Sequence, residues 1–212
     1  MKSFFSLILL ITLNVQVSAQ DWSTDKYQYD ELYPGYVIKA DGEKIAGFIK
    51  YRNRMSMQDE IVFFMDKNNS KTKETYRPEE LLEYEVAEKH YDCINYSGSA
   101  LNNDTKAVLL VKKGCISEYA WYQRSDQYNK LVKGDGESDE DFAERKYPIT
   151  TVYHQEGQIP IDLEYFKDDY AKKMSQYLSN NKELSSRVKK EKAEFSAFKA
   201  KALIAEYNKD CK

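Results

Sequence analysis

Two histidines and three cysteines are the side chains of this sequence with the widest chemical repertoire. His90 and Cys93, in His90-Tyr91-Asp92-Cys93, form an H-x-x-C pair that offers two zinc ligands. A structural zinc site takes four ligands and a catalytic one three, so the remainder would have to come from distant positions. The sequence therefore predicts no metal, and His90 reads as a polar residue at a strand start beside a buried cysteine. His154 precedes Gln155-Glu156-Gly157 and reads as part of a hairpin turn. No serine lies in G-x-S-x-G, and neither a Gly-rich phosphate loop nor a C-x-x-C redox pair is present. No catalytic residue and no cofactor is assigned. The 35 acidic residues supply many carboxylate pairs, but the pair that hydrolyses a glycoside is defined in space and not in sequence.

Three further groups invite a chemical reading. Asp135, Glu137, Asp139 and Asp141 alternate through the segment 133–146 like calcium ligands. Counted from Asp135, however, positions six and twelve are Glu140 and Lys146, where an EF-hand needs Gly and a bidentate Glu. The segment reads as a mobile acidic loop. Tyr119, Trp121 and Tyr122 are the candidate ligand-contact aromatics; on a strand the first two share a face and the third opposes them. The same rings are good sheet formers, so core packing competes with a stacking role. Cys93 and Cys115 are the candidate disulfide, with Cys211 near the chain end expected to be unpaired. In a simple meander of 91–97, 106–112 and 115–123, those two cysteines begin strands about 9.6 Å apart. A bridge tolerates roughly 7 Å between Cα atoms, so either the sheet folds over or this bridge is absent.

The elements that position these groups begin behind a leader. Lys2, the apolar run Phe4–Leu13 and Val17-Ser18-Ala19 make a secretory signal peptide over 1–19. Asn14 and Gln16 interrupt the apolar run before the roughly 20 residues of a membrane span. The sequence thus predicts an exported protein, periplasmic, cell-surface or secreted, that does not span a membrane after cleavage. Residues 20–212 carry 31 basic and 35 acidic side chains, a net of −4, which argues against nucleic acid as a partner. With 42% hydrophobic residues and only 8 Gly and 4 Pro, the chain can bury a core.

An extension over 20–34 is followed by short strand-like runs broken by turn residues across 35–162, an antiparallel β domain that contains the acidic loop. YVIKA, Asp41-Gly42 and EKIAGFIKY form the clearest hairpin, and Asp-Gly suits a type I′ turn. Eight further runs give nine or ten strands, a sandwich or a curled, barrel-like sheet. KAVLLVK over 106–112 reads as central, and Arg77-Pro78-Glu79-Glu80 as a short helical turn. From Leu163 the period changes to three and four residues, predicting two to three amphipathic helices over 163–212 that pack on the sheet. That segment holds 12 basic and 8 acidic residues, against 19 and 27 over 20–162, and reads as a solvated face partly neutralised by the acidic sheet domain. The fold class is α+β.

Gly35-Tyr36-Val37, Asp41-Gly42-Glu43, Gly47-Phe48-Ile49-Lys50-Tyr51, Tyr76-Arg77-Pro78-Glu79-Glu80 and the closing Ala205-Glu206-Tyr207-Asn208 resemble a group of uncharacterised secreted Bacteroidetes envelope proteins. In that group a similar module can also precede an outer-membrane β-barrel. The resemblance spans nearly all of residues 20–212 and implies a Gram-negative envelope, with no catalytic residues to carry over. The expected function is a non-enzymatic binding or adaptor module for an envelope protein or a glycan. The alternative is a secreted hydrolase using a carboxylate pair.

Overall fold

Turn chemistry sets the order of the strands. The computed structural model describes residues 26–96, 105–123, 131–191 and 195–211; the leader expected over 1–19 lies outside the described residues. Strands β1 (Leu32–Lys39) and β2 (Lys44–Lys50) pair antiparallel around Asp41-Gly42. The turn is not type I′. Gly42 N–H donates to Lys39 O at 2.9 Å, Lys39 N–H donates to Glu43 O at 2.9 Å, and only Gly42 has positive φ, +89°. This is a three-residue loop closed by a left-handed glycine. The Asp41 carboxylate accepts from Glu43 N–H at 3.0 Å, a local bond that favours this geometry.

Strands β3 (Ile61–Phe64) and β4 (Lys73–Tyr76) continue the meander to one edge. A 3₁₀ turn over Pro78–Glu80 then returns the chain to add β5 (Leu81–Val86) on the other side of β1. From there β6 (Lys89–Asn95), β7 (Thr105–Lys112), β8 (Ile116–Tyr122), β9 (Ile149–Gln155) and β10 (Ile161–Asp162) follow in order. Among the described residues the result is one ten-stranded antiparallel sheet that is not closed: a single curled sheet, of the two arrangements expected, and not two separate sheets packed face to face. Tyr27 and Tyr33 pack with Tyr51, so the end of the expected extension belongs to the β body.

The sheet curls around a short helix, α1 (Arg54–Asp59), capped by Asn53, which accepts from Ser56 N–H at 2.9 Å. α1 touches β3, β7 and β8, although four strands separate β3 from β7 in the sheet order. Met57 is buried among Val37, Ile49, Phe63, Tyr84 and Tyr91. Tyr84 donates its hydroxyl hydrogen to Met57 O. The Gln58 carboxamide donates to Tyr122 O at 2.9 Å and accepts from Tyr122 N–H, occupying the backbone groups of β8 as a neighbouring strand would. Burial of these side chains stabilises the fold by about 1.5–3 kcal/mol each before conformational entropy is counted.

Between β8 and β9 the chain forms α2 (Asp139–Lys146), whose start is held by Ser138 Oγ accepting from Asp141 N–H at 3.0 Å. Beyond β10, Asp162 caps a 3₁₀ turn over Leu163–Phe166 by accepting from Tyr165 N–H at 3.1 Å. The continuous helix expected from Leu163 is divided, because Asp169 is left-handed at φ +58° and α3 begins only at Tyr170 (Tyr170–Tyr177). Helices α4 (Lys182–Glu191) and α5 (Ala197–Asp210) follow. Phe166, Tyr170, Met174, Leu178, Val188 and Ile204 bury against Ile116, Tyr153 and Ile161 of the sheet. Asn208 clamps Ile116 from both sides, accepting from its N–H at 2.9 Å and donating to its carbonyl at 2.8 Å.

The disulfide joins Cys115 to Cys211, with Cα atoms 6.4 Å apart, and not Cys93 to Cys115. Strand β7 lies between β6 and β8, so Cys93 never comes within reach of Cys115, whereas α5 returns the chain end to the start of β8. Cys93 is the free thiol.

Candidate functional site

The polar residues that gather on this fold do so through the register of one tight hairpin. Ala87 and Glu88 both lie in the left-handed region, φ 52° and 62°, and Val86 pairs with Lys89, so β5 and β6 are joined by a two-residue loop of type I′ form. Counting back from that loop, Glu85 opposes His90 and Glu83 opposes Asp92. Positions 83, 85, 90 and 92 therefore project from one face. On the next strand Tyr36 opposes Glu85, extending the row. From the opposite direction β8 contributes Tyr119, whose hydroxyl donates to Asp92.

His90 is the centre. Its Nε2 lies 2.9 Å from Asp92 Oδ1 and 3.9 Å from Glu83 Oε2, while Nδ1 lies 3.4 Å from the Tyr36 hydroxyl and 3.7 Å from Glu85 Oε2. Tyr36 donates to Glu83 Oε1 at 2.9 Å. Lys44 Nζ sits 3.5 Å above the Tyr36 ring, a cation–π contact at the margin. Side-chain exposures of 26% for His90, 25% for Asp92 and 29% for Glu83 leave the cluster open to solvent.

The electrostatics follow from this packing. The hydrogen bond to Asp92 raises the His90 pKa, with burial opposing and Glu83 and Glu85 adding to the rise. Burial alone would lift the Asp92 carboxyl, but the bonds from His90 and Tyr119 outweigh it and hold it below its ordinary value. His154, partly buried on β9 opposite Ser117, adds a weaker pull on Asp92. It belongs to a strand and not to the hairpin turn its neighbours suggest, because the turn falls later, with Gly157 left-handed at φ +76°. Burial lifts the Tyr119 and Tyr36 phenols, and the carboxylates they bind add to it.

The residues singled out in the sequence separate. His90 and Cys93 differ by an odd number on one strand and so face opposite ways. Cys93 sits among the core residues under α1, where burial pushes its thiol up to about 12. Tyr119, Trp121 and Tyr122 form no exposed platform: they are 4%, 8% and 6% exposed and pack in the core, the first two with Val108 and Val152, the third with Ala120 and Tyr147. Only the Tyr119 hydroxyl joins the cluster. The acidic segment 133–146 is not a loop throughout, because residues 139–146 form α2; ahead of it Glu137 pairs with Arg145 at 2.8 Å and accepts from Gly134 N–H at 2.8 Å, so this carboxylate closes a local turn. Among the described residues, Glu83, His90 and Asp92 are the one set of three metal-capable side chains whose ligand atoms converge, all within 4.8 Å of one another. An open cleft of about 600 Å³ lies elsewhere, lined by Gln155, Asn181, Tyr207 and the Cys115–Cys211 bridge.

No family model, curated protein or solved structure matches this chain. The cluster is therefore read from its own geometry. Glu83, Glu85 and Asp92 stand in no recognised motif, yet the sequence carries a signal for them: E-x-E and H-x-D on two alternating strands become one row if the intervening loop has two residues. Ala87-Glu88 lacks the Asn or Gly that announces such a loop.

Proposed function

We propose that this chain is an exported, non-enzymatic binding or adaptor module of a cell envelope, and that the open face carrying Tyr36, Glu83, Glu85, His90 and Asp92 is its contact surface for a cationic group. One observation carries the reading: three carboxylates converge around a partly exposed histidine on a sheet face, outside the helical cover. Such a group of like charges is costly to hold together and lowers its energy when a cation arrives. A protein partner is favoured over a glycan because the rings a sugar would stack on, Tyr119 and Trp121, are buried. The hydrolase reading would use Glu83 and Asp92 as its pair, yet each is engaged by a tyrosine hydroxyl and both lie on an open face that does not exclude water.

The test is capture from envelope extracts on the immobilised protein. Wild type should retain a companion in low salt and lose it as ionic strength rises. The E83Q/E85Q/D92N variant should retain none, while E156Q, altered outside the cluster, behaves as wild type. Equal capture by the triple variant would refute this surface.

A further inference from the structure

We infer that Glu83, His90 and Asp92 form a binding site for a divalent first-row transition metal ion of the zinc class. The inference rests on the contact reading above, names its cation, and leaves outward positions at which a partner's side chain completes the coordination. The three ligand atoms converge. His90 Nε2 faces both Asp92 Oδ1, at 2.9 Å, and Glu83 Oε2, at 3.9 Å. Bonds of about 2.0–2.2 Å at a tetrahedral ion place neighbouring ligand atoms roughly 3.4 Å apart, midway between those two separations, and all three ligand atoms already lie within 4.8 Å of one another, so side-chain adjustment without backbone movement admits an ion.

The surroundings supply what a ligand set needs behind it. A metal-bound histidine donates its second ring N–H to a carboxylate or carbonyl, and Glu85 Oε2 stands 3.7 Å from His90 Nδ1. Metal-bound carboxylates are themselves hydrogen-bonded: Tyr36 donates to Glu83 and Tyr119 donates to Asp92. The two carboxylates are thus oriented by hydroxyls from β1 and from β8, one strand beyond β7, while Glu85 of β5 stands beside the imidazole. The donor set chooses the metal. One imidazole nitrogen with two carboxylates suits zinc and its first-row neighbours, whereas calcium prefers six to eight oxygens and magnesium keeps most of its water. Three protein ligands leave at least one position open, and the partial exposure of all three side chains directs it to solvent.

Isothermal titration with zinc chloride in a non-chelating buffer decides it, on the folded wild-type protein. One zinc per chain is expected, with no binding of calcium at the same concentration. Affinity should fall by at least about tenfold in E83Q and in H90Q, and by a smaller factor in Y36F, which alters only an orienting group. Circular dichroism before each titration establishes folding. Should H90Q unfold, the His90 ring signals of wild type serve instead, and zinc should shift them while leaving those of His154 less affected. Absence of zinc binding to wild type, or unchanged affinity in H90Q and E83Q, overturns the metal site. Zinc binding lost in C93S but not in H90Q overturns it too. Capture of a companion that persists in EDTA yet vanishes in E83Q/E85Q/D92N removes the metal and keeps the contact surface, so the two readings fail separately.

Discussion

Strand β8 is gripped at both ends by a carboxamide, and the two grips serve different halves of the molecule. At Tyr122 the Gln58 side chain ties in α1, about which the first strands curl; at Ile116 the Asn208 side chain ties in the C-terminal helices. The helical half adds the Cys115–Cys211 bridge and covers its sheet face with Phe166, Tyr170 and Met174. The hairpin half buries one face under α1 and leaves the other, with its three carboxylates and His90, in water. Each kind of residue is useful in a different place. Apolar cover contributes stability, whereas ionised groups keep their chemistry only where solvent or a partner can reach them.

If that contrast is right, the largest loss comes from the staple. Replacing Cys115 and Cys211 by Ser opens a loop with a sequence separation of 96. Chain entropy gives about 4–5 kcal/mol for a closed loop of that length, read as a lower urea midpoint. Zinc affinity at His90 should not move. Next, Gln58→Ala leaves a buried N–H and a buried carbonyl of Tyr122 without their partner, at about 2–4 kcal/mol. Asn208→Ala should cost less, about 1–2 kcal/mol, because its contacts are only partly buried. Reversal of that order would mean that the helices, and not α1, set the fold of the sheet.

A third test uses pH. Burial raises the phenols of Tyr84 in the hairpin half and of Tyr153 and Tyr177 in the helical half above the ordinary value of 10.0. Each remains protonated in the fold while the unfolded chain ionises, so the stability they contribute is complete below pH 10 and declines above it. The slope is up to about 1.4 kcal/mol per pH unit for each tyrosine, measurable by urea titration between pH 9 and about 11. The smallest effect is a gain. Glu88 carries a side chain at φ 62°, and Glu88→Gly should stabilise the hairpin by about 0.5–1 kcal/mol, visible as a higher thermal midpoint.

The architecture was more legible than the site. Alternation and turn residues announced the ten strands, Pro78 its helical turn, and the period from Leu163 the helices, because each is a local pattern. The break at Asp169 was not legible: an aspartate in an early helical turn reads the same whether it caps a new helix or continues one. The disulfide required knowing that α5 returns to β8, a contact across 96 residues that no spacing encodes. The cluster depended on a two-residue loop made of Ala and Glu, which propensity assigns elsewhere, so the partnership of Glu83 with Asp92 was hidden although both residues were in view. The burial of Tyr119 and Trp121 could be weighed but not fixed, since the same alternation serves a core and a platform.

Site-specific photo-crosslinking in envelope extracts compares the two halves directly. A crosslinking residue at position 44, beside Tyr36 on the open polar face, is set against one at position 198, where Phe198 is 82% exposed on α5. The polar-face account predicts adducts from position 44 and none from 198. Adducts from position 198 alone, or none from either position, would contradict it.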